Sequence, residues 1–295
     1  NIYDIGQAGF AMMVPVMCAY IAYAIGSKPA LAPGFILGYV ANNPIGADKI
    51  STGFLGSLIL GFIVGYFVKW TKSWKVPDAL KPMMPTFFIP VITTLLLGIL
   101  YTYVLTYPLN AFVQAIVSLM NQLNGTSTVI VGLAIGLLAA ADFGGPCSKA
   151  ATAFTLALMA EGIYGPNGAF RMCCAIPPLG MALASLILKN KYDKADRQLG
   201  ISALFLSSAG ITEGAIPFAG KDFKHTWIAC AIGTSIAGAL AMLHNVSSVV
   251  AFGGIVAISG VFKSPLWYIV DMLIGAGIIV LILAFTKPNL EEIEK

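Results

Sequence analysis

Charge is what this sequence has least of. Of its 295 residues only 10% are Asp, Glu, Lys or Arg, whereas 58% are hydrophobic and the mean hydropathy is +0.86. Soluble domains carry about 25% charged residues. A water-facing globular exterior is therefore excluded, and a bilayer must solvate much of the surface. Histidine is nearly absent too. His225 and His244 are isolated from one another and suggest no metal site. The five cysteines, Cys18, Cys147, Cys173, Cys174 and Cys230, lie in apolar runs without CxxC spacing, so they read as small membrane-embedded hydrophobes. No long basic face gathers the lysines, which speaks against nucleic-acid binding although the net charge is +4. No basic, small-residue leader precedes the first apolar run, and the chain starts at Asn1, so it reads as a fragment lacking N-terminal material.

Long apolar runs are what the sequence does have. Six are long enough, at about 20 residues, to span a bilayer: 5–26, 51–69, 83–105, 168–188, 225–243 and 265–286. Basic residues cluster at Lys69, Lys72, Lys75 and Lys81 (with Trp70 and Trp74 between them), at Lys189, Lys191, Lys194 and Arg197, and at Lys287 and Lys295 before and after a short acidic stretch. The positive-inside rule puts all three clusters in the cytoplasm, with the tryptophans as interface anchors.

That parity leaves residues 106–167 beginning and ending outside. Two short apolar runs, 129–141 and 150–160, flank Asp142-Phe143-Gly144-Gly145-Pro146-Cys147-Ser148-Lys149. Half-helices meeting at a Gly-Pro break form a re-entrant hairpin. A second apolar run is broken at Gly210-Ile211-Thr212-Glu213-Gly214-Ala215-Ile216-Pro217, between the basic residues at 197 and 221–224. It reads as a hairpin entering from the opposite face. A third broken, Gly-rich piece spans Asn245 to Gly260, and residues 29–50, with Asn42-Asn43-Pro44, form a further broken element. Irregular backbone at membrane depth is tolerated only where it is buried in protein or lines a cavity, and half-helix ends there present N–H and C=O groups to a ligand. The expectation is a transporter: an all-α, polytopic integral membrane bundle with re-entrant hairpins near 129–160 and 198–222, divided into halves 1–125 and 126–295.

Glu213 stands out, a carboxylate in an otherwise uncharged run, where insertion costs about 2.5–3.5 kcal/mol. Its oxygens suit bidentate hydrogen bonds to adjacent hydroxyls, or it caps a shallow half-helix. Thr212 adjoins it. Asp142 and Lys149 bracket the first break and are expected to pair across it, for binding or for structure. Ser148 either meets a ligand hydroxyl or caps the following half-helix. His244 ends a span and is either an interface residue or a ligand. Phe252 beside Gly253-Gly254 either stacks on a sugar ring or packs. Asn42 serves turn chemistry or binding. Asp271 is a carboxylate without an evident partner.

At these motifs the sequence resembles the fructose-type IIC family of the bacterial phosphoenolpyruvate-dependent sugar phosphotransferase system. Gly210-Ile211-Thr212-Glu213-Gly214-Ala215-Ile216-Pro217-Phe218-Ala219 looks like that family's signature, and Asp142 to Ala151 looks like its Asp-x-Gly-Gly-Pro-x-Asn-Lys-x-Ala pattern. Tyr3-Asp4-Ile5-Gly6, Ala30-Leu31-Ala32-Pro33, Ile163-Tyr164-Gly165-Pro166 and Pro177-Pro178-Leu179-Gly180 extend the likeness over the chain. The resemblance implies a glucose-superfamily-like IIC fold and a homodimer. It implies an N-terminal scaffold half and a C-terminal half carrying a sugar between two hairpins. The sugar is phosphorylated by the phosphocysteine of a IIB partner, supplied indirectly by IIA and HPr. It further implies a multi-pass inner-membrane location among lipid, no cofactor, and Glu213 as the sugar-binding and catalytic carboxylate. The resemblance makes Asp142, Ser148 and Lys149 first-hairpin positions; together with the residue readings above, the expected binding set is Glu213, Thr212, Asp142, Ser148, Lys149, Asn42, His244 and Phe252. Three departures stand out: Ser148 replaces the family's Asn, Phe252 its His, and Asp222-Phe223-Lys224-His225 its Asp-Pro-x-Arg. They point to a fructose-like rather than strictly fructose-selective carrier. The alternative in another class is an ion-coupled secondary sugar transporter.

Overall fold

A computed structural model describes residues 2–45, 50–122 and 126–290. Gly46, Lys295 and the acidic residues at 291–294 lie outside the described residues, as do the side chains of Tyr3, Asp4 and Ile5. Two compact units divide the chain, Asn1–Met120 and Asn121–Lys295.

The first unit contains α1 (Ile2–Gly26), α2 (Leu31–Asn42), α3 (Gly53–Thr71), α4 (Ile89–Leu100) and α5 (Thr106–Asn121). α1, α2 and α3 pack through glycines. A Cβ on Gly34 would lie 2.6 Å from the Ala19 backbone, and one on Gly65 would lie 2.8 Å from Ile25. The span expected at 83–105 does not stop there. Helical structure runs from Leu80 to Ser118, 39 residues, through π-turns at Met84–Phe88 and Tyr101–Leu105. Pro108 reads as a helix end, because a proline ring clashes with the carbonyl four residues earlier. That carbonyl belongs to Val104, inside the second π-turn, whose wider coil accommodates the ring.

The second unit contains α6 (Thr126–Ala140), α7 (Pro146–Ala160), α8 (Gly165–Ile187), α9 (Lys194–Ala209), α10 (Ile216–Lys221), α11 (Phe223–Leu243) and α12 (Pro265–Thr286). Between α11 and α12 a short antiparallel ribbon pairs β1 (Ser247–Ser248) with β2 (Val261–Lys263), a small exception to the all-α expectation. α8 is the central post. It is buried almost all round and packs against α6, α7, α9, α11 and α12. α6 approaches α11 backbone to backbone: a Cβ on Gly132 would lie 2.4 Å from the Gly238 carbonyl, and one on Gly136 2.3 Å from that of Thr234. Gly132 and Gly136 form the small-xxx-small spacing by which membrane helices close on one another.

Among the described residues five helices are long and apolar enough to cross a membrane: Gly53–Thr71, Leu80–Ser118, Gly165–Ile187, Phe223–Leu243 and Pro265–Thr286. The apolar part of α1 described as such, Ala11–Gly26, is shorter.

Gly136→Ala should lower the thermal midpoint of the detergent-solubilised protein, the overpacking costing about 1–3 kcal/mol. Gly277→Ala, where nothing lies within 4 Å of the added methyl, should leave it unchanged or raise it slightly. Equal effects of the two would disprove the α6–α11 contact.

Candidate functional site

α6 and α7 form the first hairpin, and its turn holds unusual backbone. Phe143 and Gly144 take φ of 49° and 98°, and Phe143 is buried to anchor the turn. Asp142 caps α7. Its Oδ1 accepts the N–H groups of Gly145 (3.0 Å) and Ser148 (3.2 Å), and its Oδ2 accepts that of Cys147. Pro146 has no N–H, so one carboxylate satisfies the free donors of the first turn. The expected Asp142–Lys149 ion pair does not form, because capping uses the carboxylate. Lys149 Nζ instead donates to the Gly144 carbonyl at 2.7 Å. Ser148 is not the cap either. It is the third residue of α7 and is buried.

The second hairpin starts at a capping box, in which Asp193 Oδ1 accepts the Asp196 N–H at 2.6 Å and Asp196 Oδ2 accepts that of Asp193 at 3.3 Å. α9 ends where Gly210 turns left-handed (φ 75°), with the Ile211 N–H on the Leu206 carbonyl. A 3-10 turn, Thr212–Ala215, and α10 return the chain. Lys221 closes the hairpin's foot, 2.6 Å from Asp196 and 3.4 Å from Asp193. Entry and exit therefore share one end of the unit. Lys287 of the α12 terminus joins them through Asp222 (2.9 Å), which also accepts from His225 Nδ1 (2.8 Å), and Lys191 Nζ donates to the Ala284 carbonyl at 2.7 Å.

What holds the Glu213 turn is the Pro177-Pro178 pair of α8. Pro178 has no N–H to give the carbonyl four residues back, that of Cys174. Thr212 Oγ1 donates to that carbonyl at 3.3 Å, and Ser207 Oγ donates to the neighbouring carbonyl of Ala175 at 2.8 Å. Gly214 then sits on the Pro178 ring, where a Cβ would lie 3.0 Å away. Thr212 is buried, and its hydroxyl positions the turn.

The two tips meet. A Cβ on Gly144 would lie 2.5 Å from Cδ and Oε1 of Glu213, so the carboxylate rests on the glycine's open face. Lys149 holds the carbonyl of the same residue. The glycine is required twice, for its positive φ and for this approach. The third broken piece arrives at the same turn, since a Cβ on Gly210 would lie 2.5 Å from the Gly253 carbonyl carbon. Phe252, next in sequence, is exposed. Glu213 itself is exposed rather than buried. Thr212 and Gly214, on either side, take the buried positions.

The depth of this meeting point can be read along α11. α6 runs antiparallel to it, and Trp227 Nε1 donates to the Ala141 carbonyl at 2.8 Å. The end of α6 thus lies beside the opening turns of α11, while the second tip, at the far end of α9 from its foot, reaches the middle of α8 through Thr212 and the Cys174 carbonyl. His244 caps the other end of α11, about 25 Å away at 1.5 Å per residue. Its Nδ1 lies 2.9 Å from Asp271, a fully buried carboxylate, and its ring stacks on Trp267 at 3.8 Å. Asp271 therefore has a partner, and His244 stands apart from the Glu213 tip because that buried carboxylate needs one. Asn42 closes α2 and belongs to the first unit.

Sequence reasoning missed Arg171 and Asn167. Arg171, buried in α8, donates from Nε to Asn167 Oδ1 at 3.2 Å. This fixes the amide so that its Nδ2 donates to the Ser248 and Val250 carbonyls at 3.0 and 2.9 Å. The pair anchors the strand leading to Phe252. An arginine and an asparagine one helical turn apart in an apolar run were a legible signal.

A model of the family described as "Phosphotransferase system, EIIC" matches residues 1–219. The chain belongs to that family. It is 35% identical to a PTS system fructose-specific EIIC component of Haloferax volcanii, covering 98% of this chain and 80% of that protein. It is 34% identical to the fructose-like permease IIC component 2 of Escherichia coli K12, covering 94% and 75%. A PTS system fructose-specific EIIABC component of Bacillus subtilis is 32% identical over 97% of this chain, which spans 44% of that longer protein. No solved structure matches. The chain is an integral membrane protein, the sugar-translocating IIC subunit of a phosphotransferase system.

Two outcomes test the hairpin geometry. Thr212→Val should cost about 1–3 kcal/mol by orphaning the Cys174 carbonyl. In a Pro178→Ala background, where an amide N–H is restored to that carbonyl, the cost should shrink, as a double-mutant cycle of thermal midpoints reads directly. At the hairpin's foot, burial opposes ionisation of Asp222. Hydrogen bonds from Lys287 and His225 outweigh it and hold the carboxyl below the usual range. The group then contributes stability above its unfolded pKa of about 3.9, and that contribution is lost as pH falls through the lower folded value. Asp222→Asn should melt lower than the native chain near neutral pH and converge with it in acid.

Proposed function

We propose that the chain binds a fructose-like sugar where the two hairpin tips meet and delivers it inward with coupled phosphorylation by a IIB partner. The observation that carries this reading is the Glu213 carboxylate lying on Gly144 with Lys149 on the same residue's carbonyl. A carboxylate and an ammonium held either side of one bare glycine offer an acceptor and a donor to adjacent hydroxyls of one ring. Phe252 supplies an apolar face close by. Asp142 occupies the N–H groups of α7, so this helix end is no anion site. That favours a neutral sugar and disfavours retention of a phosphorylated product.

Delivery of the sugar toward the lysine-rich end, read as cytoplasmic by the positive-inside rule, brings it to the side on which a IIB phosphocysteine acts. The phosphoryl group leaves the cysteine sulfur, the new bond forms to the sugar oxygen, and that hydroxyl's proton passes toward Glu213. Residues 126–295 form the transport half and residues 1–125 the scaffold and homodimer half, in a bacterial inner membrane. IIA and HPr act upstream of IIB. The fructose named for the relatives is the first sugar to test. Ser148 and Phe252, at positions where the family carries Asn and His, favour a fructose-like variant of it.

Uptake of a labelled sugar panel into vesicles, with and without IIB and a phosphoenolpyruvate relay, tests the assignment. Uptake should require the relay and should survive collapse of ion gradients; the reverse result would support an ion-coupled carrier. Glu213→Gln should weaken sugar binding by about 10- to 100-fold, the loss of a charge-assisted hydrogen bond, while the protein still inserts and folds. Unchanged affinity would remove Glu213 from the site.

A further inference from the structure

The first unit carries a second polar feature that sugar translocation does not use. α3 ends at Thr71, and the chain turns through Lys72 to Pro77 before the helical run from Leu80 begins. The turn is closed by backbone bonds, Ser73 N–H to the Trp70 carbonyl and Trp74 N–H to that of Thr71. Between this turn and the start of the helical run lies a cavity of about 470 Å³, lined by Lys72, Trp74, Lys75 and Val76 of the turn and by Lys81, Met84, Pro85 and Ile89 of the run. Its size is that of a small-molecule site, about 300–1,000 Å³.

The charges lining it are all positive. Lys81 is paired with Asp78 at 2.5 Å, and both are exposed. Lys72 and Lys75 have no carboxylate partner among the described residues. Two uncompensated ammoniums therefore line a cavity to which Met84, Pro85 and Ile89 add apolar surface. Trp70 and Trp74, edge to face at 5.1 Å, stand beside it. Tryptophans of this kind sit at headgroup level, which sets the depth of the cavity. Beyond the apolar wall, Phe87, Val91 and Leu95 follow at four-residue spacing, all exposed on one face of the helix.

We propose that this cavity is a binding site for an anionic phospholipid, with the phosphate between Lys72 and Lys75 and the glycerol and upper acyl chain against Met84, Pro85 and Ile89. A free phosphate would use the lysines and leave the apolar wall idle, whereas a lipid uses both. Lysine suits this role as a point charge, giving strength without demanding one phosphate orientation. The proposal requires only that this unit lie in a bilayer, so it stands or falls separately from the sugar site.

Native mass spectrometry of the full chain, released from mixed phosphatidylglycerol and phosphatidylcholine, tests it. The native chain should retain phosphatidylglycerol preferentially. Lys72→Gln with Lys75→Gln should lower that retention by about tenfold or more, from roughly 1 kcal/mol per lysine at a membrane surface. Lys189→Gln with Lys194→Gln makes the same charge change at another exposed basic cluster and should leave it intact. Both pairs are exposed, and unchanged lipid-free melting confirms that each variant is folded. Equal loss in both double variants would reduce the effect to net charge and overturn the site. So would full displacement of the lipid by millimolar inorganic phosphate. Retention of the lipid in the Lys72/Lys75 variant alongside loss of IIB co-purification would reassign the cavity to a protein partner.

Discussion

Glu213 and Gly144 touch across two interrupted hairpins, and the second unit is arranged around that contact. It needs a residue without a side chain at one tip and a carboxylate at the other. The left-handed turn at Gly144 brings its α-carbon forward, and the 3-10 turn at Thr212–Ala215 brings the carboxylate to meet it. A methyl group at residue 144 would have to displace the carboxylate, so geometry and chemistry share one constraint. Lys149 completes the cluster from the hairpin that carries the glycine.

Both tips follow the same rule of accounting. Where hydrocarbon replaces water, each backbone N–H and C=O must find a partner within the protein. Asp142 takes the donors at the start of α7, and Thr212 takes the acceptor that Pro178 leaves open in α8. Asn167, oriented by Arg171, takes two carbonyls of the strand between α11 and α12. Asp142 and Thr212, binding candidates on chemistry alone, thus have structural duties. Subtracting those duties leaves Glu213 and Phe252, both exposed, outside this accounting.

Breaks in helices were legible because glycine, proline and charge interrupt apolar runs at 142–149, at 210–217 and at 245–260. The one span end misplaced, at residue 105, failed for a local reason. A proline marks a boundary only if the coil is α-helical, and the π-turn at Tyr101–Leu105 removes the clash. The lone carboxylate Asp271 was legible as a residue in want of a partner. Its partner His244 lies 27 residues earlier, in the preceding long helix, and no spacing rule reaches that far.

The sequence by itself determined the membrane class, the helix breaks and the family, because composition and local backbone chemistry act over a few residues. Only the tertiary structure decided that Asp142 caps rather than pairs, that Thr212 holds the Cys174 carbonyl, that His244 belongs to Asp271, and that Arg171 orients Asn167. Those assignments depend on which polar group each side chain finds first across α8 and α11. Distance in space sets that choice, and the order of residues along the chain does not encode it.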